Sequence, residues 1–433
     1  MIARERRIFD LGKLLKTTSI ESHTMATTEV NLDYLNPEFL ENPYPTFAKL
    51  RAESPVVWDS KFQTGFSTGV GAWHIFKYAD IQSILRDRQF SAEIPPLELD
   101  RYPEEVREII SQLFSIPQQV MAFTDPPKHT RLRSLVSKTF NAQVVEGMRF
   151  RIQEVVDELL DSFQNVQQIE FMENFAEKLP SSVIFDMVGF DRENYPQINT
   201  WVKNEIKFLG GVPIPLDLLF QSRTEFVNYI QAQISQRRQY LREDLLSALI
   251  EAQEDGDRLS NEELQAMLWI LITAGYETTF SAIGSGLLTL IQNPAQLKLL
   301  RENPSLIEIA VEELLRYDPP AQFIHRLAKK DFELRGNLIK AGQDIYLWLG
   351  SANRDPDEFP EPECLDITRQ NNHHLSFSTS IHSCLGAPLA RLETQIALKS
   401  LLQRRPKFDL GPEGYEWYLS VISRGLKFLY LVF

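Results

Sequence analysis

The sequence predicts a mainly α fold with small β-sheets, gathered in one large helix-rich domain. Three observations carry this. Apolar residues recur at i, i+3 and i+4 over 142–163, 223–254, 261–292, 305–317 and 387–403, the spacing that lines one face of a helix. Strand-like runs are few and short. After residue 31 no composition shift or flexible linker divides the chain, and no period of about 20 to 50 residues repeats, which removes solenoids and propellers. Residues 31–433 are therefore read as the domain, and 1–30 as a disordered N-terminal extension.

In chain order, the extension MIARERRIFDLGKLLKTTSIESHTM has charges interrupting every apolar stretch, so it does not read as a signal peptide, and Met25 is a candidate start. Residues 56–58 and 72–78 are short β-branched and aromatic runs and read as strands. Asp125-Pro126-Pro127 opens a helix with His129 and Arg133 at i, i+4 on one face. The 261–292 helix begins at Ser260 with Glu263 three residues on, a capping box, and stops before Asn293-Pro294. It is long and apolar enough to cross a bilayer, but Glu277 at its centre favours a core helix buried all round. Ser305 with Glu308 repeats the capping box ahead of a helix ending at Asp318-Pro319-Pro320. Residues 323–327, 345–349 and 427–433 read as strands. Between the last two, Pro388 opens a helix with Leu389, Leu392 and Ile396 on one face.

Lys and Arg number 45 against 59 Asp and Glu, a net charge of −14, which argues against a nucleic-acid partner. With 43% hydrophobic and 24% charged residues the chain reads as a soluble globular protein with no membrane anchor. Cys364 and Cys384 are too few for a disulfide framework, so a reducing, cytoplasmic setting follows.

Cys384 stands directly before the helix opened by Pro388. There, unpaired N–H groups and the positive end of the dipole favour a thiolate, the state of a metal ligand or nucleophile; a small buried hydrophobe is the plain alternative. His373, His374, His382 and Cys384 together are a candidate zinc set, although their spacing fits no finger or ribbon. A cysteine hydrolase is a weaker fit, because His382 is too near in sequence for the usual Cys–His geometry. In the middle of the long helix sits Ala274-Gly275-Tyr276-Glu277-Thr278-Thr279, where a glycine, an acid and hydroxyls conflict with a buried helix. Such conflicts mark functional sites, the alternative being a kink with Thr278 bonded back to the Ala274 carbonyl. Glu313 and Arg316 are i, i+3 neighbours able to pair.

In this order the motifs resemble the cytochrome P-450 superfamily of haem-thiolate monooxygenases, specifically its soluble bacterial-type members, over nearly the whole chain from Asn31. The central-helix motif is 274–279, the Glu-x-x-Arg is Glu313 to Arg316, and the ligand loop is 377–386. The resemblance implies haem b (iron protoporphyrin IX) as cofactor, O2 as co-substrate, and Cys384 as axial ligand of the iron, whose electron donation favours O–O cleavage. It implies Thr278 as hydrogen-bond partner of the reacting dioxygen and Glu277 as proton source. His129, Arg133, Arg326 and His382 match the positions that hold the haem propionates. Ala274 and Gly386 belong to the cofactor-binding motifs, and Glu313 and Arg316 are structural, behind the cysteine loop.

Three positions depart from the family pattern. Glycines usual four and two places before His382 are Ser378 and Ser380, and if either position needs φ > 0 a serine costs about 1 kcal/mol or more. The arginine that completes the Glu-x-x-Arg cluster is replaced by Cys364. The resemblance further implies a hydrophobic small-molecule substrate of secondary metabolism, bound between 94–120, 208–220, 321–324 and 420–422, with Phe114, Phe208, Leu218 and Phe323 supplying apolar walls. No flavin or iron–sulfur segment is present, so a separate ferredoxin or flavodoxin is expected to dock on Lys128, Arg131, Arg391, Lys399, Arg404 and Arg405 of a monomer. Rival readings are a peroxide-using or phenol-coupling haem-thiolate enzyme, and a non-catalytic haem or ligand-binding protein.

Overall fold

A helix as apolar as 261–292 must bury most of its circumference, and in the computed structural model it does so as the central strut of the molecule. The structure describes residues 8–9, 36–62, 71–94, 99–101, 103–210, 212, 214–254, 256–418, 420 and 423–433. Apart from Ile8–Phe9, which pair antiparallel with Ile214–Pro215, the expected N-terminal extension lies outside them.

The helices that build the site are α1 (Glu104–Ser115), α2 (Lys128–Thr139), α3 (Arg149–Ser162), α4 (Lys178–Val188), α5 (Tyr195–Leu209), α6 (Leu216–Gln239), α7 (Asn261–Gln292), α8 (Ile307–Tyr317) and α9 (Ala387–Arg404). The strands of the two larger sheets are β1 (Val56–Asp59), β2 (Ala72–Ile75), β3 (Phe90–Ser91), β4 (Gln168–Glu170), β5 (Phe323–Ala328), β6 (Asp344–Trp348), β7 (Asp409–Trp417) and β8 (Leu426–Val432). Five form a sheet in the order β1-β2-β6-β5-β3, with β2 and β6 parallel and the other pairs antiparallel. β7, β8 and β4 make a three-stranded antiparallel sheet.

The capping box of α7 forms as expected: the Glu263 N–H donates to Ser260 Oγ at 3.2 Å, and the Ser260 N–H donates to Glu263 Oε2 at 2.9 Å. α7 packs against α4, α6, α8 and α9, so its apolar length is core. Gly284 lets Met172 lie against the helix, since a Cβ there would overlap the Met172 sulfur.

Three expectations fail locally. The 142–163 run is broken at Met148 into a short helix, Ala142–Gly147, and α3. Ser305 does not cap α8: Pro304 starts a 3-10 turn over Pro304–Leu306, and α8 begins at Ile307 without a side-chain cap. The 223–254 periodicity runs through a break, for α6 ends at Gln239 and a separate helix, Leu245–Glu251, is capped by Asp244, whose Oδ1 accepts the Ser247 N–H at 2.8 Å.

Candidate functional site

The cysteine loop is held from both ends. The Cys384 N–H donates to the Phe377 carbonyl at 2.8 Å, and the Ser378 N–H to Leu375 at 2.7 Å. To make that turn, Ser378 and Ser380 adopt φ of 57° and 63°, the left-handed region, which is the cost the two substitutions raised. Asn353 braces the loop, accepting the Leu375 N–H at 2.7 Å and donating to Ser376 Oγ at 2.8 Å. Ser376 Oγ in turn donates to the Leu315 carbonyl of α8 at 2.8 Å.

Cys384 is exposed, yet ringed by protein, so its sulfur faces the interior of the molecule. Burial pushes the thiol up, against the N–H groups of Gly386 and Ala387 and the guanidiniums of Arg133 and Arg391. The helix start thus supplies the expected donors, and desolvation opposes them.

His129, Arg133, Arg326 and His382 come together beside this loop from α2, β5 and the Ser380–His382 turn. The rings of His129 and His382 lie 4.2 Å apart. Arg133 donates to the Ser383 carbonyl at 2.8 Å and Arg326 to that of His325 at 2.8 Å. Burial and then neighbouring Arg326 and His129 push His382 down to about 3, while burial pushes Arg326 down to about 10. His129 is lowered by burial and by Arg133, and its Nδ1 has no partner. Asp125, the nearby acid, is already engaged by Ser91 at 2.7 Å and Lys329 at 2.6 Å. Four cationic or protonatable groups that suppress one another's charge fit a doubly anionic group such as two propionates.

On α7, Ala274 is exposed in mid-helix and Thr278 half-buried, its Oγ1 donating to the Ala274 carbonyl at 2.8 Å. Glu277 is 6% exposed and receives a 2.8 Å hydrogen bond from Tyr418 Oη. Burial raises it to about 7 despite hydrogen bonds from Tyr418 and Ser423. Sequence reasoning missed Tyr418 and Ser423, which lie between β7 and β8 in a segment without motif or period.

Glu313 and Arg316 are fully buried and paired in two bonds of 2.7 and 2.8 Å. The expectation that Cys364 leaves this cluster incomplete is overturned: Arg369, five residues on, reaches both Glu313 oxygens at 3.2 and 3.1 Å. Cys364 contributes its carbonyl, which accepts from Arg316 at 3.2 Å and from Arg369 at 3.3 Å.

Other expected groupings do not converge. His374 bonds Glu312 at 3.2 Å, and among the described residues no set of three or more His, Cys, Asp or Glu could hold a metal ion, which removes the zinc reading. Phe114 and Phe208 stack edge-on at 5.6 Å within a small cluster joining α1, α5 and α6. Phe323 is packed against Tyr346 and Trp348 in the sheet core, and Leu218 points outward at 46% exposure. Val421 and Ile422 lie outside the described residues. In the expected docking patch, Arg131 pairs with Asp257 and Glu263, Arg391 with Glu312, and Arg404 with Asp157 and Asp161.

Comparisons with known proteins identify the family. The family model for cytochrome P450 matches residues 102–412. The polyketide biosynthesis cytochrome P450 PksS of Bacillus subtilis (strain 168) is 37% identical over 397 residues, spanning 90% of this chain and 96% of that protein. The biotin biosynthesis cytochrome P450 of the same organism is 37% identical over 383 residues, 88% of this chain and 93% of that protein. The solved structure of P450BioI in complex with hexadec-9Z-enoic acid ligated acyl carrier protein superposes with a TM-score of 0.84 at 35% identity, covering 92% of this chain and 99% of that one. A family model that takes in most of the sequence, and near full-length relatives above a third identical with the same fold, agree on one conclusion: the chain belongs to the cytochrome P450 superfamily and is an oxidoreductase of that type.

Proposed function

We propose that the protein is a haem-dependent monooxygenase that inserts one oxygen atom of O2 into a hydrophobic organic substrate, with Cys384 as the residue whose thiolate would hold the iron of haem b. The observation that carries this is an interior-facing sulfur at the start of α9, beside two histidines and two arginines that hold no carboxylate ion pair among the described residues. When bound, the haem would supply the redox-active iron at which O2 is activated with the partner's electrons. The chain's own groups do the rest. Cys384 holds the iron, with the Gly386 and Ala387 N–H groups supporting the sulfur. His129, Arg133, Arg326 and His382 hold the propionates. Ala274 brings no bulk to the middle of α7, Thr278 offers a hydroxyl one turn on, and Glu277, near neutral in its proton affinity, holds a proton beside it.

Electrons come from a separate ferredoxin or flavodoxin, and the protein acts as a cytoplasmic monomer. Relatives named for polyketide and biotin biosynthesis, and a solved neighbour carrying a fatty acyl chain on a carrier protein, support an apolar substrate of acyl or polyketide type.

The test is the reduced, CO-bound difference spectrum of the haem-supplied protein. A strongly red-shifted Soret band, lost in Cys384→Ala, is expected. A band at the ordinary position, or no haem, would favour the non-catalytic reading, to which the left-handed Ser378 and Ser380 lend weight. With a surrogate ferredoxin and its reductase, Thr278→Ala is expected to lower coupled product about tenfold and raise peroxide release. Unchanged coupling would favour the peroxide-using rival.

A further inference from the structure

Glu277 projects from the middle of α7 to a partner at the far end of the chain. Tyr418 Oη donates to its Oε1 at 2.8 Å, and Ser423 Oγ and Ser281 Oγ lie 3.1 and 3.3 Å from that Oη. The placement is enforced by the backbone: the Tyr418 N–H donates to the Gly425 carbonyl at 3.1 Å. A Cβ on Gly425 would overlap both Ser281 Oγ and the Tyr418 ring, so a glycine is needed for the ring to lie this close. Beyond Tyr418 lies a narrow cleft of about 30 Å³, room for about one water, lined on its polar side by Tyr418, Ser420, Ser423, Gln322 and Arg424, with Trp417 beside them. Gln322 is 6% exposed, and its Oε1 and the Trp417 Nε1 have no protein partner, as in a wall that water completes.

We propose that Tyr418 and Ser423 carry protons between this cleft and Glu277, making Tyr418 a positioning residue for the acid of the monooxygenase; the purpose of the route rests on that reading, its geometry does not. A cleft water gives a proton to Ser423 Oγ, Ser423 gives its own to Tyr418 Oη, and Tyr418 gives its own to Glu277 Oε1. Each hydroxyl gives one proton and receives one, so Glu277 gains one, and bulk buffer restores the water. The other ionisable neighbour, Tyr276 on the same helix, turns away and bonds Glu177 at 3.4 Å. Burial holds Glu277 near neutrality, where it can both take and release the proton.

The experiment follows the Glu277 carboxyl directly. The haem-loaded full chain is transferred into D2O at pH 7, and the C=O stretch of protonated Glu277, identified by its loss in Glu277→Gln, is followed in time by infrared spectroscopy. Exchange is expected to slow about tenfold in both Tyr418→Phe and Ser423→Ala. Gly425→Ala, which displaces the ring, is expected to slow it as well. A tyrosine that merely filled space would, when replaced, loosen the site and speed exchange. Unchanged or faster exchange in Tyr418→Phe, with thermal unfolding as in the parent, overturns the proposal. If that variant does not fold, Ser423→Ala decides alone, because it cuts the route while leaving the Tyr418–Glu277 bond. Failure of the monooxygenase reading would appear separately, as an ordinary Soret band with the exchange results intact.

Discussion

Ser378 and Ser380 hold φ of 57° and 63°, where a Cβ crowds the adjacent carbonyl oxygen and only glycine escapes the penalty. The Ser378 hydroxyl is also buried without a partner, so that position carries a second cost. Ser378→Gly and Ser380→Gly are each expected to stabilise the protein by about 1 kcal/mol, once the extra chain entropy of glycine is subtracted, as read from urea melts. No gain at either site would mean the loop relaxes out of this turn. Glu277 gives a pH signature of opposite character. Its folded pKa is raised to about 7 from 4.5 by burial, so its stabilising contribution is complete below pH 4.5 and is lost as pH rises through 7. Relative to Glu277→Gln, the parent should therefore lose on the order of 3 kcal/mol between those limits, and parallel pH profiles of the two proteins would contradict the assignment.

At the scale of elements, the cluster behind the cysteine loop shows why a motif can be legible and its completion not. Glu313 and Arg316 share one helix, so their i, i+3 spacing announces the pair. Arg369 comes from an irregular segment, and only folding brings its guanidinium onto Glu313, with the Asn372 amide adding a bond of 3.1 Å. The same contrast runs through the fold. α7 was legible end to end because its periodicity and cap agree. α1 and α5 carry the same spacing, at Val106, Ile109, Ile110 and Leu113 and at Ile198, Trp201 and Val202, and α4 stops at the left-handed Gly189, so these signals were present and went unread; β7 was not legible, because Gly411, Pro412 and Gly414 interrupt any alternation. The Ser305 cap was legible and wrong, since Pro304 imposes a 3-10 turn first. Fully buried charges held by so many donors cannot lose a partner cheaply. Glu313→Gln is expected to destabilise by about 3–5 kcal/mol, leaving two guanidiniums buried without a counter-charge. Cys364→Ala, which keeps the carbonyl those guanidiniums use, should change stability by less than about 0.5 kcal/mol. Equal losses from the two variants in denaturant melts would return the third place in the cluster to Cys364.

Over the whole molecule, the candidate site draws on residues 129–133, 274–278, 326, 382–386, 418 and 423, which only the packing of α2, α7 and α9 against two sheets gathers. Sequence supplied the chemistry of each piece; where each side chain turns, as with Phe323 into the sheet and Glu277 toward Tyr418, was decided by packing. Net charge works at this scale too. A chain carrying −14 repels an acidic electron donor, so any attraction must come from local cations that the protein has not already neutralised. Arg131, Arg391 and Arg404 are neutralised by Asp257 and Glu263, by Glu312, and by Asp157 and Asp161. Lys128 bonds the neutral Gln119 at 2.7 Å, and Lys399 is exposed with no ion pair among the described residues, so both keep their field. Lys128→Glu combined with Lys399→Glu is therefore expected to slow reduction by an acidic ferredoxin about tenfold at low ionic strength, with the deficit shrinking at about 0.5 M salt as the Debye length falls below the contact distance. Arg404→Gln, which removes a charge but also frees two carboxylates, makes the local field more negative only where Asp157 and Asp161 stand, beyond the loop that carries Cys384 in sequence. Stopped-flow reduction across a salt series separates the cases: an equal loss in Arg404→Gln, or no salt dependence in the double lysine variant, would move the docking surface away from these two lysines.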